Sequence, residues 1–144
     1  MNYQNSYQKN YYQPRKPVKS FQDLEVYQKL LGVAVMVTKK VRGNNGKSDS
    51  GDGLVKTIAG KLTDALLSLP VLLATAHSLR FGEGVEAIKK LDEVMLSCNL
   101  AVVYLEQYRD LGEHEIEPEF FEEQIKNILA TRGKVLHLQT SWKK

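Results

Sequence analysis

The sequence predicts an all-α chain, an antiparallel up-and-down four-helix bundle that assembles into a ring-shaped homo-oligomer. Three observations lead there. Apolar residues recur in alternating steps of three and four over long segments, the period of one helix face. No segment shows the convincing apolar–polar alternation of a half-buried strand. Two of the three connections are shorter than about eight residues, which favours neighbouring helices that reverse direction. A three-helix core with a loose fourth helix is the alternative.

Residues 1–19 precede the first helix and form their own segment. They carry Tyr3, Tyr7, Tyr11 and Tyr12 among Asn and Gln, then Pro14 and Pro17, with no apolar period. Such a stretch cannot bury enough surface to offset its ordering entropy, so a disordered tail is expected. Residues 20–144 are expected to form the bundle. The first helix starts at Ser20, a capping residue with Asp23 three places on. Leu24, Tyr27, Leu31, Ala34 and Val41 mark its inner face, with Thr38 in the gap, and Gly43 is expected to end it. The polar segment "GNNGKSDSG" (43–51) reads as a loop, with Asp52 placed to cap the next helix.

The second helix carries Ile58, Leu62, Ala65, Leu69, Leu72, Ala76 and Leu79, a bundle seam. Pro70 within it lacks a backbone donor, so a kink is expected. The third helix, over about 84–111, carries Ile88, Leu91, Met95, Cys98, Val102 and Leu105. Leu96, Leu100 and Val103 add a second apolar row, and Leu66 and Leu73 do the same on the second helix. A helix with one solvated face does not need that second row, so these five residues are candidates for a contact between subunits. Pro118 suits the first turn of the fourth helix, which continues through Phe121, Ile125, Ile128, Leu129, Val135 and Leu136, with Gly133 inside it and Trp142 near its end.

Composition narrows the class. The chain has 144 residues, one cysteine and 26% charged residues, the profile of one soluble domain without a disulfide framework. No uninterrupted apolar run reaches roughly 20 residues, and the first residues lack an apolar signal core, so a cytoplasmic protein with no membrane partner is expected. The net charge is +3. Lys9, Arg15, Lys16 and Lys19 place four cations and no acid in residues 1–20, which leaves the remainder at −1. Lys39, Lys40, Arg42 and Lys47 form a second basic group, and acid gathers in 106–123.

Tests for chemistry return little. Cys98 falls in the seam of the third helix and reads as a small core residue, because a reactive thiol needs exposure and a nearby cation. His77, His114 and His137 are far apart, and none is preceded three residues earlier by the Glu that a bundle di-metal site uses. "GNNGKS" (43–48) lacks the first glycine of a phosphate loop, since Val41 stands there, and a helix precedes it where a strand is needed. The same residues offer the Gly-x-x-Gly of a KH clamp without its sheet. "SDSGDG" (48–53) lacks the closing Glu of a calcium loop, with Gly60 at that place. The carboxylates of 113–123 read as a solvated run that complements a helix N-terminus. No catalytic residue, metal ligand, cofactor or small-molecule substrate is expected.

The segment "FQDLEVYQKLLGVAVMV" (21–37) resembles the signature of the four-helix-bundle family encoded in intervening sequences of 23S ribosomal RNA genes, through Phe21, Asp23, Leu24, Glu25, Val26 and Tyr27. Ser68 and Pro70 in "SLPVLLATA" resemble that family's Ser-Ile-Pro segment, and Leu91, Glu93, Leu100 and Ala101 match its third helix. That family's Asn and Glu after the proline are here Leu72 and Thr75. The architecture is similar to the accessory proteins of diversity-generating retroelements, basic pentameric barrels that work with a reverse transcriptase and its template RNA. The resemblance implies a non-enzymatic homo-oligomer, a pentamer, with RNA and a reverse transcriptase as partners. The nucleic-acid candidates are Lys9, Arg15, Lys16, Lys19, Lys39, Lys40, Arg42 and Lys47. The body's −1 departs from the strongly basic character of those proteins. A structural homo-oligomer that binds only a protein partner, through its acidic 113–123 surface, is the alternative.

Overall fold

The computed structural model describes residues 17–45, 53–112 and 114–144. A 3-10 turn, Phe21–Asp23, leads into four helices: α1 (Glu25–Asn45), α2 (Gly53–Leu79), α3 (Gly84–Leu111) and α4 (Pro118–Trp142). Among the described residues there is no strand. The tail residues 1–16, the loop 46–52 and the cap expected at Asp52 lie outside the described residues.

The first turn of the bundle follows its cap chemistry. Ser20 Oγ accepts from the Gln22 N–H at 3.2 Å, and Asp23 Oδ2 accepts from the Ser20 N–H at 3.2 Å, a reciprocal capping box. The box closes a 3-10 turn, and Leu24, in extended conformation, separates that turn from α1. At the other end, α1 runs through Gly43, where it was expected to stop. A helical glycine costs only about 1 kcal/mol. Asn44 repays this by donating Nδ2–H to the Tyr108 hydroxyl at 2.9 Å and accepting from the Glu115 N–H at 3.4 Å.

Each helix packs on two others: α1 on α2 and α4, α3 on α2 and α4. The α2–α3 pair is the most extensive and the α1–α4 pair the least. Leu62, Leu66, Leu69 and Leu73 of α2, Leu91, Cys98 and Leu105 of α3, and Phe121, Ile128 and Val135 of α4 are fully enclosed. Burying a side chain of this size contributes about 1.5–3 kcal/mol, so this core is the main source of stability. The fourth helix is therefore an integral wall and not a loose appendage. Pro70 is buried inside an unbroken α2.

Two expectations are corrected. Leu66 and Leu73, expected at a subunit contact, are fully buried. A helix between two neighbours buries a wider arc than one seam, and α2 uses both apolar rows inside; its exposed large apolar residues are Leu54, Leu67 and Val71. On α1, Leu31 is exposed and Leu30, Val33 and Val37 supply the inner face. The buried arc of α4 also holds three polar residues, Gln124, Thr131 and Gln139.

Candidate nucleic-acid interface

The basic group of α1 occupies its last two turns. Lys39, Lys40 and Arg42 are all exposed, as is Lys19 ahead of the 3-10 turn. Lys9, Arg15, Lys16 and Lys47 lie outside the described residues. Lys39, Lys40, Gly43 and Asn44 form one wall of a cleft of about 310 Å³, and Glu115 and Ile116 form the other. Lys40 Nζ stands 5.4 Å from the centre of the Phe120 ring, a cation–π distance.

The fold thus places the chain's basic and acidic groups at the same end of the bundle. Glu115, Glu117, Glu119, Glu122 and Glu123, all exposed, approach or begin α4. A polyanion that met Lys39 and Arg42 would also meet these carboxylates, so this end offers local phosphate contacts beside a repelling neighbour. The sequence placed these groups far apart and held no sign that they converge.

Beneath the cleft, aromatic packing fixes the α3–α4 connection. The Tyr108 and His114 rings are stacked at 5.6 Å and 9°, and Phe121 lies 5.1 Å from His114. His114 Nδ1 accepts from the Ile116 N–H at 3.2 Å, which leaves Nε2–H to donate to the Arg109 carbonyl at 3.1 Å. Burial pushes the Tyr108 phenol above its ordinary value, and the hydrogen bond with Asn44 offsets part of that. Arg109 is committed to Asp110 at 2.8 Å and Glu106 at 3.8 Å, so its charge is locally balanced.

Of the five expected interface residues, Leu96, Leu100 and Val103 do face outward, at 58%, 40% and 46% exposure. They step by four and three along α3, so they share one side of it. Sequence reasoning missed the outward Leu67 and Val71, and it named Leu129 and Leu136 along the fourth helix without a sign that they are exposed. It also missed a cluster at the α2–α3 turn, where Arg80 stands over the rings of both Phe81 and Trp142. A Phe beside an Arg and two glycines in a turn was the available signal.

A second groove of about 290 Å³ runs between α1 and α4, lined by Gln28, Lys29, Met36, Gln124, Asn127 and Thr131 among others. Gln124 Nε2 donates to Met36 Sδ at 3.3 Å, and its Oε1 is buried without a partner. Cys98 is buried, and that burial pushes its thiol up to about 12, with Arg132 pulling slightly the other way. Among the described residues no three His, Cys, Asp or Glu side chains gather to hold a metal ion. One helix, α2, has the length and hydropathy of a membrane span, although eight of its residues pack into the core. No family model, no curated protein and no solved structure matches the chain.

Proposed function

We propose that the chain is an antiparallel up-and-down bundle that assembles into a ring-shaped homo-oligomer and serves as a non-enzymatic, RNA-associated accessory protein in the cytoplasm. The reverse transcriptase partner and the pentameric state belong to the same proposal. They rest on the resemblance of residues 21–37. Support for the topology comes from the cross-links between helix ends. Gln139, late in α4, donates to Ile88 and Asp92, early in α3. Asn44, at the end of α1, meets Glu115, just before α4.

The observation that carries the proposal is the outward row Leu96, Leu100 and Val103. Contiguous apolar surface of this kind in water favours burial between subunits. The exposed Lys39, Lys40 and Arg42 support the RNA contact, together with the four cations of residues 1–20. Each cation that neutralises a phosphate releases counterions, so affinity should fall steeply with salt. A ring would multiply modest contacts by effective concentration.

The test has two readouts. Light scattering should report a multiple of the 16.3 kDa chain at micromolar concentration, and the double variant Leu96→Glu, Leu100→Glu should report the monomer. Copurification should recover RNA that is lost when residues 1–19 are deleted and weakened by Lys39→Glu with Arg42→Glu. A wild-type monomer without RNA would overturn the proposal. The second reading, an oligomer that binds a protein only, is favoured by the exposed carboxylates beside the lysines. It predicts copurification of a basic protein in place of RNA.

A further inference from the structure

The turn between α2 and α3 carries a feature that neither the basic tail nor the α1 cleft uses. Phe81 is 86% exposed, the most exposed large apolar side chain among the described residues. A single apolar side chain in water is ordinary. Phe81, however, ends a ladder. The Arg80 guanidinium carbon lies 4.9 Å from the Phe81 ring centre and 5.1 Å from the Trp142 ring centre, so one cation serves two rings. Trp142 continues the ladder inward to His77, with ring centres 6.4 Å apart. Trp142 Nε1 is buried without a partner, so its ring faces and not its N–H make its contacts here.

The ladder is closed on the inside and open on the outside. The Phe81 ring is open to solvent, and a Cβ built on Gly82 or Gly84 meets nothing within 4 Å, so no other segment crowds the turn that carries it. Charge at the site favours an anion. Arg80 stands in the ladder, and Lys143 and Lys144 follow Trp142 in the chain, against the carboxylates of Glu83 and Glu86, the latter paired with Lys89. His77 adds no cation at neutral pH, since burial and the Arg80 charge both hold its titration below the ordinary value.

A flat aromatic face flanked by cations is the arrangement that holds single-stranded nucleic acid, where a base stacks on the ring and lysines pair with the phosphates. We propose that the Phe81–Arg80–Trp142 ladder is a nucleobase-stacking site for single-stranded nucleic acid. This deepens the RNA-associated reading and rests on it. It places a base contact at the α2–α3 turn, apart from the phosphate contacts assigned to the tail and to α1. A peptide partner fits the site less well, because an aromatic peptide side chain would use the ring without using the lysines.

Trp142 is the chain's one tryptophan, so its emission reports on this site directly. The full chain is titrated at low salt with ten-nucleotide oligoadenylate, its deoxy counterpart, and an abasic strand of equal length that offers phosphates alone. The ribo- and deoxyoligomers should change Trp142 emission saturably, and their relative affinities identify which is preferred. The abasic strand should leave the emission unchanged. Phe81→Ala should weaken oligoadenylate binding on the order of 5- to 150-fold, the range of about 1–3 kcal/mol per stacked base. Phe81→Tyr, which keeps the ring, should restore it. Equal binding by Phe81→Ala and wild type, or the same emission change with the abasic strand, overturns the site. If deletion of residues 1–19 abolishes binding while Phe81→Ala is silent, this site fails and the RNA-associated reading stands. If no strand binds the wild type, both fail, and a peptide becomes the occupant to pursue.

Discussion

Lys134 of α4 donates to Glu25 Oε1 of α1 at 2.7 Å, and Lys29 approaches the same oxygen at 3.0 Å. One carboxylate is thereby held between two ammonium groups at the edge where α1 and α4 meet. Those hydrogen bonds and charges lower the Glu25 pKa from 4.5 to about 2. The carboxyl carbon of Glu25 should therefore titrate near pH 2 by NMR, and Lys134→Met should move it back toward the ordinary range. Its folded pKa lies below the unfolded one. The contribution to stability is present above pH 4.5 and is lost as the pH falls towards 2.

Gln124 should be a site where a less polar residue stabilises. Its Oε1 is buried without a partner, and such an atom costs about 1–3 kcal/mol. Methionine matches its length and can pack against Met36. Gln124→Met should raise the unfolding free energy by about 1 kcal/mol in denaturant titrations. A loss of stability would mean that the amide makes a contact worth more than its desolvation.

His77 should make the protein less stable in mild acid. Burial and the neighbouring Arg80 lower its pKa, so the unfolded chain takes up the proton first. Stability is fully present above the ordinary value of 6.5 and declines as the pH falls through the folded one. Denaturation midpoints should drop between pH 7 and pH 5, and His77→Gln should reduce the drop. Trp142 emission in the folded chain should fall only at lower pH, below the ordinary imidazole value, as the adjacent imidazole becomes a cation.

Cys98 should be silent in the native protein. A thiol with a pKa of about 12 holds almost no thiolate at neutral pH, and the side chain is fully enclosed. A colourimetric disulfide reagent should find no thiol in the folded chain and one equivalent after denaturation. Cys98→Ala should cost on the order of 1 kcal/mol, since little volume is lost.

The elements themselves were readable because each helix carries a strong local period. Leu91, Met95, Cys98, Val102 and Leu105 repeat on one face and are buried, with Ile88 at the head of the row only half-buried. What failed needed knowledge of neighbours. Leu66 and Leu73 look like a spare row only if α2 is assumed to have one partner; between α1 and α3 both rows are covered. The candidate site was less legible still. Lys39 to Arg42 and the glutamates of 115–123 are distant in the chain, and only the fold brings them to one end. Arg80 and Trp142 meet in the same way, across the closure of α4 onto the bundle. Gln139 was hidden for the opposite reason: a glutamine breaks the apolar pattern, yet it is enclosed because Ile88 O and Asp92 accept its amide hydrogens.

The α2–α3 and α3–α4 connections differ in how they would answer an engineer. At Gly112 a Cβ would lie 2.6 Å from the Tyr108 carbonyl oxygen and 3.2 Å from the His114 ring. The helix end and the stacked imidazole leave no room for a side chain. That turn behaves as a rivet, with Tyr108, His114 and Phe121 as its head. New chain termini or an inserted tag would pull the rivet and loosen α3 from α4. Gly82, in the α2–α3 turn, and Gly84, the first residue of α3, have open space around them and tolerate added atoms. A fluorophore, an affinity handle or a circular permutation is better placed there, provided that Phe81 is kept.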